Sequence, residues 1–423
     1  MEKLQGFTDH VMLYVKTLVK WLLDYAGLSF AYGIPGTVGG AVGSLFHLGV
    51  EYATELRTEV PALLYALPLA GVLIVALYRF LRTQGVGTNA VLDAVHQGRE
   101  LPILLIPAIF LATLLTHLAG GSAGREGAAL QIGGGIGYRT GTLLRLGEKD
   151  LPLATLCGMA GVFSALFGTP LTATIFALEV ISVGVLYYAG LLPCITASLT
   201  GYYIALLMGV EPTRFTVAMP ALAWPTLGLV AVLAVGCALV SILFCRGLHI
   251  TEHLAARWMK NGFLRAAAGG CVIVAATLLL GTTDYNGAGM DVIAAAMQGY
   301  ARPEAFALKM LFTVLTMTTG YKGGEIVPAM FIGATAGCVL GDLFGLAPGL
   351  GAAVGLLGMF CGSLNCPISA IFLGVEMFGG ANIQYYAIAA AISFMLSANF
   401  GLYKEQKIVY SKIRAEFINR YTD

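Results

Sequence analysis

The chain has 423 residues, of which 58% are hydrophobic and only 11% are charged, whereas about 25% of the residues of a soluble domain are charged. Together with a mean hydropathy of +0.82, this composition excludes a soluble globular fold and predicts a polytopic membrane protein whose solvent is the lipid bilayer. The formal net charge of +1 creates no field that would attract nucleic acid, so we expect no nucleic-acid partner.

The N-terminal segment, residues 1–30, has charges spread along it and no small-residue cleavage site. This pattern predicts an amphipathic or membrane-entering helix rather than a removed signal peptide. Beyond it, apolar runs long enough to cross about 30 Å of hydrocarbon occur near residues 30–54, 60–81, 101–120, 221–245, 263–281 and 385–402.

Several other apolar segments, including 122–142 and 327–346, are short or are interrupted by Gly, Pro or Asn. A helix that ends inside the membrane has to satisfy its free backbone groups with protein or around a wet cavity. These broken segments therefore predict an internal site lined by protein.

Two parts of the chain repeat each other. Residues 112–137 align without gaps to residues 312–337, with nine of 26 positions identical, and 161–179 match 358–376 after a slip of three residues. Two halves built from broken helices are typical of transporters whose site lies between the halves near the middle of the membrane. Sequence identity leaves open whether the repeats are parallel or inverted.

In each half a glycine-rich turn leads directly into an apolar helix, as GSAGREG at 121–127 and as YKGGEIV at 321–327. Pro328 suits the first turn of a helix, where a missing N–H costs nothing. A helix start presents free N–H groups and a partial positive charge, which bind anions. Two such starts that meet in the membrane predict a site for a small anion.

Glu126 lies in the first turn of the first of these helices. A carboxylate there complements the helix dipole by less than about 1 kcal/mol in soluble proteins, but at membrane depth a carboxylate is costly and is usually functional. Because a carboxylate is itself an anion, we expect Glu126 to compete with the substrate and to leave the site when protonated. It is the candidate gate and proton carrier, while Arg125 is expected to pair with a carboxylate or with backbone carbonyls.

Glu325 is the matching carboxyl in the second half. Ionised, it would repel a bound anion, whereas burial beside an anion favours its neutral form, which donates a hydrogen bond. The alternative is that Glu325 faces an aqueous vestibule or pairs with Lys322.

His249 and His253 are four residues apart and could share a helix face, as metal ligands do, but their arrangement, HITEH, is not the HExxH order, and a metal site would need one more ligand. We therefore interpret them as part of a solvated helix end and expect no metal and no cofactor. The eight Cys residues are scattered singly through apolar stretches, which is typical of packing residues. An embedded enzyme needs clustered ligands or a nucleophile with a base, so we expect no enzymatic activity.

The GREG turn, the GGEIVP turn and the paired proline segments resemble the CLC family of chloride channels and proton-coupled anion transporters. The resemblance implies an all-α, polytopic inverted repeat of two related halves with broken and re-entrant helices. It also implies a homodimer and cytoplasmic termini in a bacterial inner or plasma membrane, in agreement with the basic tail. The expected parts are an N-terminal helix at 1–30, membrane repeats at 31–205 and 206–400, and a C-terminal cytoplasmic-side helix at 401–423, without CBS domains.

The resemblance also implies roles for particular residues. Glu126 looks like the external gating glutamate of the family, and Tyr403 looks like the central tyrosine that lines the anion site. The first anion loop corresponds to residues 85–89, where Val86 replaces the serine of chloride-selective members, and Val180 replaces the internal proton-transfer glutamate. With Glu126 and Glu325 for gating and proton transfer, the candidate anion-binding residues are Gly85, Val86, Gly87, Gly124, Arg125, Gly127, Gly323, Gly324, Ile326, Val327 and Tyr403.

Val86, Val180 and Glu325 all depart from the chloride-selective pattern and resemble the bacterial fluoride/proton antiporter branch. Fluoride holds its hydration more strongly than chloride and needs stronger donors than one hydroxyl. The sequence therefore predicts a proton-coupled antiporter that exports fluoride. A chloride/proton exchanger or a passive chloride channel of the same fold is the alternative.

Overall fold

The computed structural model describes residues 2–347 and 349–422 and, within them, the side chains of residues 16, 17 and 27 and of those from 31 onward. The first half of this described chain forms the helices α1 (Glu2–Glu59), α2 (Leu67–Phe80), α3 (Thr88–Gln97), α4 (Leu105–Leu118), α5 (Glu126–Leu143), α6 (Leu151–Phe167), α7 (Pro170–Glu179) and α8 (Leu191–Leu207). The second half forms α9 (Trp224–Trp258), α10 (Gly262–Leu280), α11 (Met290–Met297), α12 (Ala305–Thr319), α13 (Ile326–Leu343), α14 (Leu350–Leu364), α15 (Pro367–Phe378) and α16 (Ile383–Leu396). Short 3₁₀ helices precede α2 and α8, at Pro61–Ala66 and Tyr188–Gly190.

Helices that can cross a membrane are interspersed with helices that are too short to do so. In the described chain, five stretches are long and apolar enough, at Pro61–Phe80, Tyr188–Leu207, Trp224–Trp258, Gly262–Leu280 and Ile326–Leu343. The runs predicted at 101–120 and 385–402 become α4 and α16, which have only 14 residues each. Conversely, 327–346 was predicted to be broken but forms the 18-residue helix α13, because its glycines pack against a neighbouring helix instead of interrupting it.

The N-terminal helix has no boundary at residue 30. Helix α1 runs without interruption from Glu2 to Glu59 and contains Pro35, so the predicted division between residues 1–30 and 31–205 falls inside one helix. Pro in a membrane helix is tolerated when neighbouring groups satisfy the backbone that it frees. The prediction that residues 1–30 are amphipathic concerns side chains that, apart from residues 16, 17 and 27, lie outside the described ones.

The two halves pack their helices in the same way. Helix α5 lies against α6, and α13 lies against α14. A Cβ on Gly137 would lie 2.8 Å from the Cα of Thr155, and a Cβ on Gly337, its counterpart, would lie 2.7 Å from the Cα of Gly355. Only glycine permits so close an approach of two membrane helices, so the repeat in the sequence corresponds to a repeat in the packing.

Two matched glutamates join the halves and show how they are related. Glu179, at the end of α7, accepts the backbone N–H and the hydroxyl of Ser369 at 2.8 and 2.5 Å. Glu376, near the end of α15, accepts the backbone N–H and the hydroxyl of Thr172 at 2.8 and 2.6 Å. Because the end of each helix caps the start of the other, α7 and α15 run antiparallel, as an inverted repeat requires.

The C-terminal segment corrects one prediction, because residues 401–422 contain no helix. Instead β2 (Lys407–Tyr410) pairs in parallel with β1 (Ser182–Val183) and antiparallel with β3 (Phe417–Tyr421). The expected helix came with the family resemblance, whereas the β-branched residues of KIVY favour an extended strand. We call the resulting hairpin the C-terminal hairpin (residues 407–421). Its pairing with β1 attaches it to the segment that follows α7.

Candidate anion and proton site

The two glycine turns meet at the centre of the molecule. Gly124 and Gly324 exchange two backbone hydrogen bonds, each of 2.7 Å, as an isolated antiparallel bridge. A Cβ on Gly324 would lie 2.8 Å from the backbone nitrogen of Glu126, so the turns approach this closely only because both residues are glycine. The bridge places the starts of α5 and α13 side by side, as the anion-site prediction requires.

Glu126 is the first residue of α5 and is 2% exposed. Its Oε2 accepts the backbone N–H of Arg125 at 2.9 Å, and its Oε1 lies 3.7 Å from the Arg125 Nε. The carboxylate is therefore folded back over its own helix start, where it takes an N–H group that a bound anion would otherwise use. Arg125 pairs with a carboxylate, as expected from the sequence.

Glu325 precedes α13 and reaches across to the other half. A Cβ on Gly127 would lie 3.0 Å from the Glu325 Oε2, so the absence of a side chain in α5 makes room for this carboxyl. The Oε2 is buried and has no hydrogen-bond partner in the described part of the chain. An unpartnered buried polar atom costs about 1–3 kcal/mol, which suits a group that binds a guest.

A cavity of 170 Å³ leads from Glu325 to the face that carries the C-terminal hairpin. Among the predicted residues, Gly87, Gly323, Glu325 and Tyr403 line it. The structure thus supports the vestibule alternative for Glu325. No ion pair within 4 Å joins Glu325 to Lys322 among the described residues, although Lys322 lines the same cavity.

Tyr403 places a hydroxyl in this cavity. The residue is 3% exposed, and its hydroxyl has no hydrogen-bond partner within the described residues. Its backbone carbonyl accepts the hydroxyl of Thr422 at 2.6 Å, so the end of the C-terminal hairpin holds this position. A buried O–H without an acceptor can donate to an anion, and Tyr403 lines the same cavity as Glu325.

The remaining predicted residues lie around this centre. Ile326 and Val327 are buried at the start of α13, with exposures of 0% and 1%. Gly85 is exposed, Val86 is half-buried beside it, and neither lines the cavity. The structure therefore brings together the matched turns and Tyr403, whereas Gly87 is the only one of the three predicted residues of the first anion loop that lines the cavity.

Sequence reasoning missed a polar pair that borders the cavity. Gln131 donates through Nε2 to the Thr88 hydroxyl at 3.1 Å and to the Gly127 carbonyl at 3.4 Å. Its Oε1 is buried without a partner in the described chain. The feature of the sequence that could have identified Gln131 is a single amide side chain within an apolar stretch of α5, five residues after Glu126. Asn89, whose Oδ1 accepts the Glu405 N–H at 3.3 Å, also borders the cavity.

Comparison with known proteins identifies the fold. The family described as voltage gated chloride channel matches residues 69–398. The chain belongs to this CLC family. It is 31% identical over 390 residues to the chloride/fluoride channel protein of Pseudomonas syringae pv. tomato, covering 90% of this chain and 86% of the relative. It is 25% identical over 403 residues to the proton/chloride exchange transporter ClcA of Vibrio campbellii, covering 87% and 85%.

Solved CLC structures agree with this assignment. A crystal structure of a CLC-type fluoride/proton antiporter matches with a TM-score of 0.87 at 31% identity, covering 91% of this chain and 98% of the other. A slow cyanobacterial chloride/proton antiporter matches with a TM-score of 0.76 at 16% identity, covering 88% and 94%. The predicted all-α membrane fold with an inverted repeat of broken helices is confirmed.

Proposed function

We propose that the chain is a fluoride/proton antiporter that exports fluoride without chemical conversion of any substrate. The observation that carries the proposal is the position of Glu325, whose carboxyl Oε2 lies against the helix start at Gly127 and has no hydrogen-bond partner among the described residues. Two carboxyls, Glu126 and Glu325, thus flank one pair of helix starts. The likeness to a chloride/fluoride channel protein and to a CLC-type fluoride/proton antiporter, each at 31% identity, supports the same assignment.

The geometry supports a mechanism in which Glu126 and fluoride compete for one helix start. Ionised, Glu126 takes the N–H of Arg125 and closes the site. Protonated, it loses the charge that holds it there and moves away, so that fluoride replaces it. Neutral Glu325 and the Tyr403 hydroxyl donate hydrogen bonds to fluoride. Once Glu325 has released its own proton toward the face of the C-terminal hairpin, its carboxylate accepts the proton that Glu126 releases. Proton and fluoride therefore cross in opposite directions.

A chloride/proton exchanger or a passive chloride channel is the alternative function. The 25% identity to a proton/chloride exchange transporter supports it. Two positions favour fluoride: Val86 has no hydroxyl to offer to chloride, and Val180 is a fully buried apolar residue where the chloride exchangers are expected to carry an acidic residue. The second carboxyl at Glu325 then supplies the proton chemistry.

The proposal includes a homodimer in the membrane of a bacterial cell, with both termini in the cytoplasm. Lys404, at the C-terminal end of the chain, pairs with Glu252 at 2.8 Å, so the end of α9 lies on the same face as the C-terminal hairpin. Arg257 lies in the last turn of that helix, and Lys260 follows two residues after its end. Basic residues concentrate on the cytoplasmic side of membrane proteins, which supports the orientation.

Paired substitutions in proteoliposomes test the gating assignment. Glu126→Gln removes the charge that competes with the anion, and we expect proton uptake during fluoride efflux to fall by roughly a hundredfold or more, in line with the usual contribution of a proton-transfer group. Glu148→Gln, in an exposed loop, is the matched control and is expected to keep wild-type fluxes. Normal proton uptake in Glu126→Gln would remove this residue from the mechanism.

A further inference from the structure

A second carboxyl lies at the mouth of the cavity that contains Glu325. Glu252, in α9, has a side chain that is 60% exposed and pairs with the Lys404 Nζ at 2.8 Å. Glu252 lines the cavity together with His249, three residues earlier on the same helix face. A titratable group in contact with solvent therefore shares one cavity with the buried carboxyl of the candidate anion site.

The charged groups along this cavity act on one another. Lys322 is close enough to both Glu325 and Glu252 for their charges to interact, and the two carboxyls also interact with each other. Lys322 lines the cavity and places its Nζ 4.9 Å from the Tyr78 ring. The other charged or titratable groups whose charges act on Glu252 are Lys404, His249 and His253.

The structure offers no acidic side chain at the position that the family resemblance assigns to internal proton transfer. Val180 is fully buried, and its backbone carbonyl accepts the Gln406 Nε2 at 2.9 Å. A proton that moves between Glu325 and this face of the molecule consequently needs another carrier. The cavity lined by Glu325 and Glu252 has a volume of 170 Å³, and a cavity of that size has room for hydrogen-bonded water.

We infer that Glu252 is the proton acceptor and donor on the face of the C-terminal hairpin and exchanges protons with Glu325 through this cavity. The inference rests on the proposed proton coupling and adds the residue at which protons reach solvent. In each transfer one proton leaves a carboxylic acid, which becomes a carboxylate, and reaches the other carboxylate, which becomes the acid; no other bond changes. Lys322 stabilises whichever of the two carboxyls is ionised.

Simultaneous fluoride-electrode and pH-electrode recordings on proteoliposomes test the role of Glu252. We expect Glu252→Gln to lower proton uptake by roughly tenfold while fluoride efflux falls less, so that the proton-to-fluoride ratio drops. Glu252→Asp keeps a carboxyl at the mouth and is expected to retain the wild-type ratio. Gel filtration in detergent checks that each variant is folded.

Lys404→Met provides the matched control, because it breaks the same ion pair and leaves the Glu252 carboxyl in place. We expect this variant to keep the wild-type proton-to-fluoride ratio. An unchanged ratio in Glu252→Gln, or an equal drop in Lys404→Met, would overturn the inference and leave only a structural ion pair. If Glu252→Gln fails to reconstitute, Glu252→Ala takes its place: a lowered ratio in Glu252→Ala supports the inference, and an unchanged ratio, or an equal drop in Lys404→Met, overturns it. Wild-type protein that moves fluoride without protons would instead contradict the proposed function.

Discussion

The two carboxyl residues of the candidate site can be predicted from the sequence, because carboxyl side chains are unusual in a membrane interior. Glu126 and Glu325 stand out because a carboxyl at membrane depth is costly, and both lie at the crossing of the two turns. Gln131, Thr88 and Glu252 gave no comparable signal. Their part in the cavity depends on which helix faces meet, and a single sequence does not contain that information.

Gly127 is the residue that makes room for the second carboxyl. Gly127→Ala would place a Cβ 3.0 Å from both the Glu325 Oε2 and the Gly324 Cα, so the carboxyl and the turn must shift together. Because positioning errors of this size weaken a site strongly, we predict a fall in fluoride transport of roughly tenfold. The measurement is the initial fluoride efflux from proteoliposomes.

Gly228→Ala, in α9, is the matched control for that substitution, since nothing lies within 4 Å of an added Cβ there. It is expected to transport fluoride at the wild-type rate. Equal rates for Gly127→Ala and wild type would show that the Glu325 carboxyl does not depend on the space beside α5.

At the scale of helices and strands, the features that can be predicted from the sequence are those that local composition determines, such as helix starts. The starts of α5 and α13 are where their glycine turns and Pro328 predict them. The boundary predicted at residue 30 falls inside α1. The break predicted in 327–346 and the helix predicted at 401–423 were wrong, because both segments depend on packing partners. Glycines in α13 that look like breaks are contact points, and β2 is a strand because β1 and β3 supply neighbours.

The reciprocal caps between α7 and α15 are predicted to stabilise both halves at once. Glu376→Ala leaves the N–H groups of Leu171 and Thr172 without their acceptor. Hydrogen bonds to a charged group contribute about 1.5–3 kcal/mol each, so the midpoint of thermal denaturation in detergent is expected to fall by several degrees. Glu179→Ala, its counterpart in the repeat, should produce a similar fall.

Glu148→Ala, in an exposed loop, is the control for both variants and is expected to leave the midpoint unchanged. If the two caps contribute nothing to stability, Glu376→Ala and Glu179→Ala will have the same midpoint of thermal denaturation as the control. That outcome would mean that apolar packing alone holds α7 against α15.

At the scale of the whole molecule, the two halves are joined at the central bridge, at the reciprocal caps and at the C-terminal end. The internal repeat predicted two related halves, and the antiparallel arrangement of α7 and α15 decides that they are inverted. The third connection was not predictable. Gln406 donates to the Val180 carbonyl at 2.9 Å and to the Leu364 carbonyl at 2.7 Å, and these acceptors lie in different halves.

Gln406→Ala is predicted to loosen this connection close to the candidate anion site. The substitution leaves the Val180 carbonyl without this donor and the Asn365 amide without the Gln406 Oε1 that accepts it at 2.8 Å, while the Leu364 carbonyl keeps the Cys366 thiol at 3.2 Å. An unsatisfied buried group costs about 1–3 kcal/mol, and Gln406 lies only three residues after Tyr403. We expect lower thermal stability together with slower fluoride efflux. Gln298→Ala, outside the cavity and these connections, is the control; identical behaviour of the two variants would exclude a structural role for Gln406.

The central claim is that proton movement and fluoride movement are coupled in one pathway. The most direct measurement records fluoride efflux and proton uptake together from proteoliposomes of the wild-type protein under an outward fluoride gradient, and repeats the recording with chloride. We predict proton uptake that accompanies fluoride efflux and much slower movement of chloride. Chloride efflux as fast as fluoride efflux, or fluoride efflux without proton uptake, would contradict it.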